Sequence, residues 1–441
     1  MPAFLKNSVP IPPKYAKLNH IMPKYIIDIH AHSKYSRAVS RQMDLETMAA
    51  WADKKGIQVI SCTDFTYPAW FKEIKNKLQL QENGLYKIKG GTAQAQFMLA
   101  TEISCIYSKN GKTRRVHIVA VVPDLIAVGK INGKLNLIGN IKSDGRPILG
   151  LDAKELAKII LDSSPEALVF PAHIWTPWFS MFGSQSGFDT VEECFEEIAP
   201  QIPAMETGLS SDPPMNWRLS QLDRMSILSF SDAHSPANLG REATVLELEK
   251  LSYKNILEAI KKQGGNKNKI AYTVEFYPEE GRYHWDGHRN CKIRYSPAQT
   301  KKHKGICPVC KKPLTIGVLY RVDKLADRPE GYKPANRPPY KSLVPLQQII
   351  AESLGRGVNT KGVVEEYNAM IASGKNEFNI LLNLNAKELE KITTPVIAEA
   401  IEKVRQGKIT VLPGYDGEYG TVKVFSDAER KKYIERQEKL L

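Results

Sequence analysis

The stretch Tyr25-Ile26-Ile27-Asp28-Ile29-His30-Ala31-His32-Ser33 is an apolar, β-branched run that ends in two histidines one residue apart. Side chains alternate along a strand, so His30 and His32 leave the same face at the point where the strand passes into its loop. Both imidazoles can then bind a single metal ion. One such pattern is weakly specific, but several later apolar runs also end in Asp, Glu or His, as expected of a metal site at one end of a barrel.

The first 270 residues alternate between strand-like and helix-like segments. Asp44 is placed to cap a helix over Leu45–Lys55, which Gly56 would end, and the apolar residues 57–62 predict the next strand. Further apolar runs cover residues 97–102, 167–173 and 226–234, and helix-like segments cover residues 153–161 and 191–198. This succession of βαβ units predicts an α/β barrel.

Length and composition bound the class of protein. A chain of 441 residues with 42% hydrophobic residues can bury a sizeable core and is long for one domain. No apolar run approaches the ~20 residues needed to cross a bilayer. Residues 1–24 contain five prolines and four lysines without a continuous apolar stretch, so we expect a partly ordered extension of a cytoplasmic protein and not a signal peptide.

The net charge of +14 is concentrated in the middle of the chain. Residues 261–341 contain 19 Lys and Arg against 7 Asp and Glu, which leaves the remainder close to neutral. A charge run is usually a solvated face. Next to a metal site, however, a basic segment also indicates contact with a polyanion such as nucleic acid.

The same basic segment carries a second group of metal-ligand residues. His288 and Cys291 form a His-x-x-Cys knuckle, and Cys307 and Cys310 form a Cys-x-x-Cys knuckle after 15 intervening residues. Four such ligands complete a tetrahedral zinc site with no open position, so we expect a structural zinc. Two other histidines, His284 and His303, are alternatives to His288. Nearby lysines, which are either solubilising or in contact with DNA phosphates, include Lys301, Lys302, Lys311 and Lys312.

Residues 175–189 follow His173 and mix aromatic with small side chains. The candidates for contact with DNA or a base are Trp175, Trp178, Phe179, Phe182, Ser184 and Ser186. Such a loop can simply plug the mouth of the barrel. On a catalytic face it can also supply stacking surfaces and hydrogen-bond donors for a base lifted from the duplex.

From residue 345 onward the pattern predicts helices, over residues 346–354, 363–372 and 394–405. Asn385 followed by Glu388 fits an N-terminal cap, and residues 427–441 predict a charged amphipathic helix. The last five residues, 437–441, faintly resemble a peptide that binds a sliding clamp.

Taken in chain order, the candidate residues are similar to those of the PHP (polymerase and histidinol phosphatase) metallophosphoesterases. They are His30, His32, Thr63, Asp64, Glu102, His117, His173, Asp232 and His234. Three longer segments, at residues 172–178, 182–189 and 414–420, resemble the endonuclease Q family of PHP-domain DNA-repair nucleases. The resemblance runs from about residue 25 to beyond residue 420. It implies a distorted (β/α)7 PHP barrel, similar to a TIM barrel, that holds two or three divalent metals.

The resemblance also implies which side chains bind these metals. One ion would be bound by His30, His32, Glu102 and Asp232. A second would be bound by Glu102 again with His117 and His173. The ligand types accept zinc, magnesium, manganese or iron.

The candidate catalytic residues are Asp232, His234 and Asp64, which include one metal ligand. Phe65 stands where many PHP domains have a histidine, so a third metal would lack a ligand. His234 would then act behind the ligands or at the phosphate. His117 also differs from the other candidates, because it begins the apolar run 117–122 whereas they end theirs.

The family resemblance implies a DNA-repair endonuclease that hydrolyses the phosphodiester 5′ to uracil, hypoxanthine or xanthine, and also at abasic sites, in double- or single-stranded DNA. Two alternatives stay open. A small-molecule phosphatase of the histidinol-phosphate type explains the barrel but not the basic zinc module, and a DNA-binding scaffold would have a silent site. We expect four parts: an extension (1–24), a PHP barrel (25–270), a basic zinc-binding module (271–344) and a helical, DNA-facing domain (345–441).

Overall fold

The computed structural model describes residues 22–262, 265, 267–426 and 428–430. Residues 1–21 of the predicted extension 1–24, most of the predicted tail helix and the whole clamp-like peptide 437–441 lie outside these residues, and Lys24 begins the first strand. Within the described ranges, no helix combines the length and apolar character needed to cross a membrane.

The strands are β1 (Lys24–Asp28), β2 (Val59–Cys62), β3 (Leu78–Leu80), β4 (Tyr86–Ile88), β5 (Gln96–Lys109), β6 (Lys112–Val122), β7 (Ile148–Leu149), β8 (Leu168–Pro171), β9 (Ala204–Glu206), β10 (Ser226–Leu228), β11 (Ala243–Glu247), β12 (Lys269–Glu275), β13 (Asp286–His288), β14 (Ile293–Tyr295), β15 (Tyr340–Ser342), β16 (Thr410–Leu412) and β17 (Thr421–Lys423).

The α-helices are α1 (Leu45–Lys55), α2 (Pro68–Lys77), α3 (Leu125–Ile138), α4 (Ala153–Ser163), α5 (Val191–Phe195), α6 (Pro213–Trp217), α7 (Tyr253–Ile260), α8 (Pro297–Lys302), α9 (Val318–Leu325), α10 (Leu346–Leu354), α11 (Lys361–Gly374), α12 (Glu377–Leu382), α13 (Ala386–Leu389) and α14 (Pro395–Arg405).

The barrel is built on one large mixed sheet. Strands β1, β2 and β5 run parallel to one another. Strand β6 pairs antiparallel with β5, and β8 pairs antiparallel with β6. On the other side of β1, strands β11 and β12 are antiparallel, and β15 adds to β12 in parallel. The parallel pair β9 and β10 contacts β8. The α/β barrel predicted from the sequence is confirmed.

Side chains along the strands alternate up to the end of the barrel that carries the candidate ligands. On β5, Ala100 belongs to a buried apolar cluster, and Glu102 continues its face. On β6, Val119 and Val121 belong to the same cluster and share a face with His117. Because β6 runs antiparallel to β5, the chain passes the ligand end of the barrel before it reaches the apolar residues 118–122 of β6. His117 therefore precedes its apolar run.

Helix α1 has the termini that the sequence predicts. The Asp44 carboxylate accepts the backbone N–H of Thr47, and Gly56 ends the helix with a φ of 85°. This left-handed conformation favours glycine because a Cβ would be strained there. The predicted cap of α13 is also present, as a reciprocal capping box between Asn385 and Glu388.

The predicted zinc module is inserted between two strands of the barrel sheet, β12 and β15. Strand β12 crosses the predicted boundary between residues 270 and 271, because it pairs with β11 as far as Val274. At the other end, β15 returns the chain to the same sheet beside β12. The chain therefore leaves the barrel sheet after Glu275 and returns to it at Tyr340.

The C-terminal helices are fixed to the barrel through α1. Lys55 Nζ lies 2.7 Å from Glu377 Oε2, and both side chains are almost fully buried. The same carboxylate accepts hydrogen bonds from the Tyr367 hydroxyl and the Leu346 backbone N–H. Removing one partner of a buried ion pair costs about 3–5 kcal/mol, so this network fixes α10, α11 and α12 against the barrel.

Residues 414–420 form a turn between β16 and β17 that docks on the zinc module. The backbone N–H of Gly414 donates to the carbonyl of Glu279 at 2.8 Å. The Asp416 carboxylate accepts the backbone N–H of Arg289 at 2.7 Å. A Cβ on Gly414 would lie 2.4 Å from the carbonyl oxygen of Gly281, so this contact requires glycine. The distinctive sequence of the turn thus serves close backbone packing.

Candidate active site and zinc cluster

The strand ends bring the predicted ligands together in two adjacent groups. In each group the candidate ligand atoms lie within 4.8 Å of one another. The first group contains His30, His32 and Asp232, and the second contains Glu102, His117 and His173.

Glu102 joins the two groups. Its Oε2 lies 3.2 Å from His32 Nε2, and its Oε1 lies 3.7 Å from His30 Nε2. Oε1 also lies 2.8 Å from His117 Nδ1 and 3.2 Å from His173 Nε2. One carboxylate therefore faces both groups, as a bridging ligand between two cations would.

The spacing of the donor atoms fits metal ions. Two ligands at ~2.0–2.1 Å from one tetrahedral ion lie roughly 3.3 Å apart. His32 Nε2 is 3.1 Å from Asp232 Oδ1, and His117 Nδ1 is 3.2 Å from His173 Nε2. Two facing ring nitrogens at that distance are an ordinary pair of ligands to one ion.

Buried polar atoms that have no hydrogen-bond partner also indicate a metal site. Among the described residues, His30 Nε2, His32 Nε2 and Asp232 Oδ1 are buried without a hydrogen-bond partner. Leaving one buried polar atom unsatisfied typically costs about 1–3 kcal/mol, so three that converge indicate a position where an ion binds. Imidazole and carboxylate are donors that divalent cations accept. The residues therefore fit a divalent metal.

The electrostatics favour the ligating forms of Glu102 and His117. At His30, His32 and His173, neighbouring carboxylates outweigh the effect of burial and raise the pKa. Burial alone would raise the pKa of Glu102, but hydrogen bonds from His117 and His173 and the charge of Arg146 hold it well below its usual range, so the carboxylate is ionised. Burial lowers the pKa of His117 to about 4, so this imidazole is neutral near pH 7 and keeps a lone pair.

Three residues at the site adopt positive φ angles although none is glycine. The φ angle is 78° at Asp64, 30° at His173 and 45° at Asp232. Such conformations cost of order 1–3 kcal/mol each and persist only where the surroundings impose them. The backbone is thus held in strained turns that direct these side chains.

Glu206 is a site residue that the sequence analysis missed. It ends β9, is fully buried, and places Oε1 at 2.9 Å from His30 Nδ1. Its Oε2 accepts the backbone N–H of His173 at 2.8 Å. A signal was present, since residues 202–206 form a short apolar run that ends in Glu, as the predicted strands do.

Asp64 lies behind His32 and does not face the candidate ions. Its Oδ1 is 3.0 Å from His32 Nδ1, while Oδ2 accepts the backbone N–H of Ser33 and the hydroxyls of Ser33 and Ser36. Both oxygens are therefore occupied. This geometry suits a residue that orients His32, and it corrects the expectation of a catalytic carboxylate at position 64.

His234 lies at the rim of the site. Its Nδ1 donates to the carbonyl of Asp232 at 2.8 Å, and its ring packs 5.0 Å from the ring of His32. The side chain is about one third exposed. It is thus close to the ligands and open to a substrate.

Part of the loop 175–189 is buried in the core. Trp175 and Phe182 are fully buried and pack together, and Trp175 Nε1 donates to Asn216 Oδ1 at 2.8 Å. These two aromatic rings serve the core, which corrects their assignment as surfaces for base stacking. Trp178 is 40% exposed, and Phe179 lies 4.9 Å from the His117 ring.

The two serines of the loop border a cavity of about 270 Å³. Ser184 Oγ is buried and has no hydrogen-bond partner among the described residues, whereas Ser186 Oγ makes a long hydrogen bond to the Arg115 carbonyl. Arg321 on α9 donates to the carbonyls of Phe182 and Phe188. The zinc module therefore anchors this loop.

The second predicted metal group also comes together. His288, Cys291, Cys307 and Cys310 present ligand atoms within 4.8 Å of one another. The two alternative histidines lie elsewhere: His284 is buried beneath α9, and His303 stacks on Tyr295. Backbone N–H groups of Cys310 and Val309 overcome the effect of burial and lower the pKa of Cys307 to about 7, which favours the thiolate.

The predicted DNA-contact lysines, Lys301, Lys302, Lys311 and Lys312, are all exposed on this module. Lys301 forms an ion pair with Asp323. Their exposure fits a phosphate-binding surface as well as a solvated one.

Comparison with known proteins identifies relatives along the chain. A family model described as the MJ0043 C-terminal domain matches residues 345–408. The protein MJ0043 of Methanocaldococcus jannaschii is 36% identical over 255 residues, which span 56% of this chain and 31% of MJ0043. The protein YqxK of Bacillus subtilis is 28% identical over 418 residues, which span 91% of this chain and 100% of YqxK.

Two solved structures are similar over nearly the whole chain. The lesion-specific endonuclease PfuEndoQ from Pyrococcus furiosus gives a TM-score of 0.81 with 31% identity and covers 91% of this chain and 95% of its own. Endonuclease Q in complex with a 27-mer duplex substrate with an abasic lesion at the active site gives a TM-score of 0.80 with 30% identity, over 92% of this chain and 98% of its own. As the sequence motifs predict, this protein belongs to the endonuclease Q family.

Proposed function

We propose that this protein is a metal-dependent DNA-repair endonuclease. It hydrolyses the phosphodiester on the 5′ side of uracil, hypoxanthine or xanthine, and also acts at abasic sites, leaving 3′-hydroxyl and 5′-phosphate ends. The observation that carries the proposal is the pair of ligand groups joined by Glu102. The similarity to a family member crystallised with a lesion-containing duplex supports DNA as the substrate.

In this proposal each ligand group would bind one cation. His30, His32, Asp232 and Glu102 would hold one cation. Glu102, with His117 and His173, would hold a second. Bound divalent cations supply Lewis acidity, which activates water and stabilises charge on the phosphodiester. Zinc suits the imidazole-rich set, and magnesium or manganese is compatible with the carboxylates.

Two further residues assist the reaction. Asp64 orients His32, because its Oδ1 is bonded to the ring nitrogen remote from the cations. His234 directs Nδ1 to a backbone carbonyl, which leaves Nε2 to meet the phosphate or the leaving oxygen. In the described residues no hydrogen bond of Nε2 competes with that role.

The exposed part of the loop 175–189 receives the damaged base. Trp178 stands edge-on to Tyr283, with ring centroids 5.8 Å apart, and offers an accessible aromatic face in the loop that follows His173. Ser184 Oγ lacks a partner among the described residues and lines the neighbouring cavity. A deaminated base is cheaper to extrude because it pairs poorly, and hydrogen bonds to its new carbonyl add to selectivity.

The zinc module supplies the long-range contact with DNA. We infer that His288, Cys291, Cys307 and Cys310 bind a structural zinc, which holds the basic residues of the module on a rigid support. The exposed Lys301, Lys302, Lys311 and Lys312 then contact phosphates. We place this activity in the cytoplasm, on genomic DNA. A sliding clamp remains a candidate partner of residues 437–441.

A substrate panel tests the proposal. The metal-loaded protein is incubated with labelled duplexes that contain one deoxyuridine, one deoxyinosine or one abasic site, with an undamaged duplex, and with histidinol phosphate. We expect one cut on the 5′ side of each lesion and none in the undamaged duplex. Equal cleavage of undamaged DNA would contradict lesion specificity. Phosphate release from histidinol phosphate alone would establish the small-molecule phosphatase instead.

A further inference from the structure

The loop between α3 and β7 carries a guanidinium into the active site. Arg146 Nη1 lies 3.1 Å from Glu102 Oε2, the oxygen that also faces His32 Nε2 at 3.2 Å. Arg146 is therefore a permanent positive charge beside both ligand groups. It lies in a loop and not at a strand end, so the pattern that marks the other site residues does not mark it.

The loop is anchored on both sides of this arginine. Asp144 Oδ1 accepts the backbone N–H of Arg146 at 2.9 Å, and the Gly145 N–H donates to the Tyr35 carbonyl at 3.1 Å. A Cβ on Gly145 would lie 2.9 Å from Asp64 Oδ2, so the loop packs directly on the site. After Arg146 the chain pairs with β5 through β7. The position of the guanidinium is thus built into the fold.

Most of the hydrogen-bonding capacity of Arg146 is unused. A guanidinium offers five N–H donors in a planar fork. Glu102 takes one of them, and within the ranges that the structure covers the guanidinium makes no other hydrogen bond. The side chain is 23% exposed, so part of it is accessible to a substrate. A fork that is fixed at one edge and open at the other is suited to bind an anion.

We propose that Arg146 binds a non-bridging oxygen of the scissile phosphodiester and is a catalytic residue of this enzyme. The inference rests on the proposed function for the identity of the anion. The group is oriented before the substrate arrives, so it stabilises the negative charge that grows on the phosphate without rearranging. Glu102 prevents the guanidinium from turning away, and Asp144 holds the backbone from which it projects.

A purely structural role makes a different prediction. If Arg146 only balanced the charge of Glu102, its removal would change metal binding and leave phosphate binding by the metal-loaded protein unchanged. If it contacts the phosphate, its removal weakens phosphate binding while the metal content stays the same. Metal content and phosphate affinity are therefore measured separately from cleavage.

The experiment compares wild type with Arg146→Ala, Arg146→Lys and the control Lys254→Ala, whose lysine is 83% exposed on α7. Single-turnover cleavage of the deoxyuridine duplex should fall about 10²–10³-fold in Arg146→Ala, as for loss of one charge-stabilising donor. Arg146→Lys should recover part of the rate. Added guanidinium ion, and not urea, should partly rescue Arg146→Ala, because only the cation replaces the missing group.

Calorimetry measures the binding of inorganic phosphate to the metal-loaded proteins. This measurement does not depend on the choice of DNA substrate. Weaker phosphate binding in Arg146→Ala at unchanged metal content supports the inference even if wild type cuts no lesion duplex, a result that would overturn only the proposed function. Phosphate affinity equal to that of Lys254→Ala, or loss of metal in proportion to loss of activity, would overturn the role of Arg146.

Discussion

Glu206 holds two of the candidate metal ligands at once. Its Oε1 lies 2.9 Å from Nδ1 of His30, and its Oε2 accepts the backbone N–H of His173 at 2.8 Å. Each ligand group therefore depends on the same buried carboxylate. The contact fixes the tautomer of His30, because a proton on Nδ1 leaves the lone pair on Nε2 for a metal.

Replacing Glu206 by Gln should weaken metal binding about 10–100-fold, as is typical when a residue that supports a ligand is removed. An amide presents an NH₂ donor in place of one carboxylate oxygen, and this donor would face the Nδ1–H of His30 or the backbone N–H of His173. The measurement is a chelator competition that follows bound metal. Glu155→Gln, at a half-exposed position on α4, is the control. Unchanged metal affinity in Glu206→Gln would show that the contact does not set the ligand geometry.

Replacing Cys307 by Ser should remove one zinc per chain and lower the thermal stability of the protein. The zinc module holds both Arg321 and the turn 414–420, so lesion-DNA affinity should also decrease. Metal content, thermal unfolding and DNA binding are measured together. Cys194→Ala, the control, removes a buried cysteine outside the cluster. If Cys307→Ser keeps its full zinc content, the four residues are not a zinc site.

Buried carboxyls near the site predict a stability that depends on pH. Burial raises the pKa of Glu275 to about 8, although Thr207 and Ser229 donate to it. Because the folded pKa lies above the ordinary 4.5, the neutral form stabilises the fold fully below 4.5. That contribution is lost as pH rises from 4.5 through about 8. Its size is on the order of 5 kcal/mol.

Glu275→Gln tests this origin of the pH dependence. The amide oxygen can still accept from Thr207 and Ser229 but never ionises, so the decline of unfolding free energy between the two pH values should flatten. Denaturant unfolding across a pH series measures it, with the exposed Glu249→Gln as control. A decline as steep as that of wild type would place the titrating group elsewhere.

DNA binding should weaken steeply with added salt, because binding of lysines to phosphates releases counterions. Removing Lys301, Lys302, Lys311 and Lys312 together should reduce the slope of log affinity against log salt by about 0.9 for each phosphate that is no longer neutralised. The control removes four exposed lysines from α3 and the region of α7, namely Lys130, Lys134, Lys250 and Lys254, for the same net charge. Equal slopes in both variants would show that the zinc module does not face DNA.

Much of the architecture can be predicted from the sequence because it depends on residues that are close to one another in the chain. The bounds of α1 follow from Asp44 and Gly56, and the ligands follow from apolar runs that end in polar residues. The unusual position of His117 is explained only by the antiparallel direction of β6, which depends on pairing between distant residues.

The features that the sequence does not predict depend on contacts remote in the chain. Arg146 reaches the site because Gly145 packs against Ser36 and Asp64. This contact between distant residues leaves no periodic pattern in the sequence. Glu206 belongs to a strand of three residues, too short for a clear pattern. Trp175 and Phe182 follow a ligand in sequence but point into the core, a direction that only the folded loop decides.

The central claim is that two cations held around Glu102 cut DNA beside a damaged base. The most direct test is single-turnover cleavage of a duplex with one deoxyuridine by wild type and by Asp232→Asn, with metal content measured in both. We predict that Asp232→Asn loses metal from the first ligand group, keeps the structural zinc and makes no cut on the 5′ side of the lesion. Cleavage at the wild-type rate by Asp232→Asn, with the first group empty, would contradict the account.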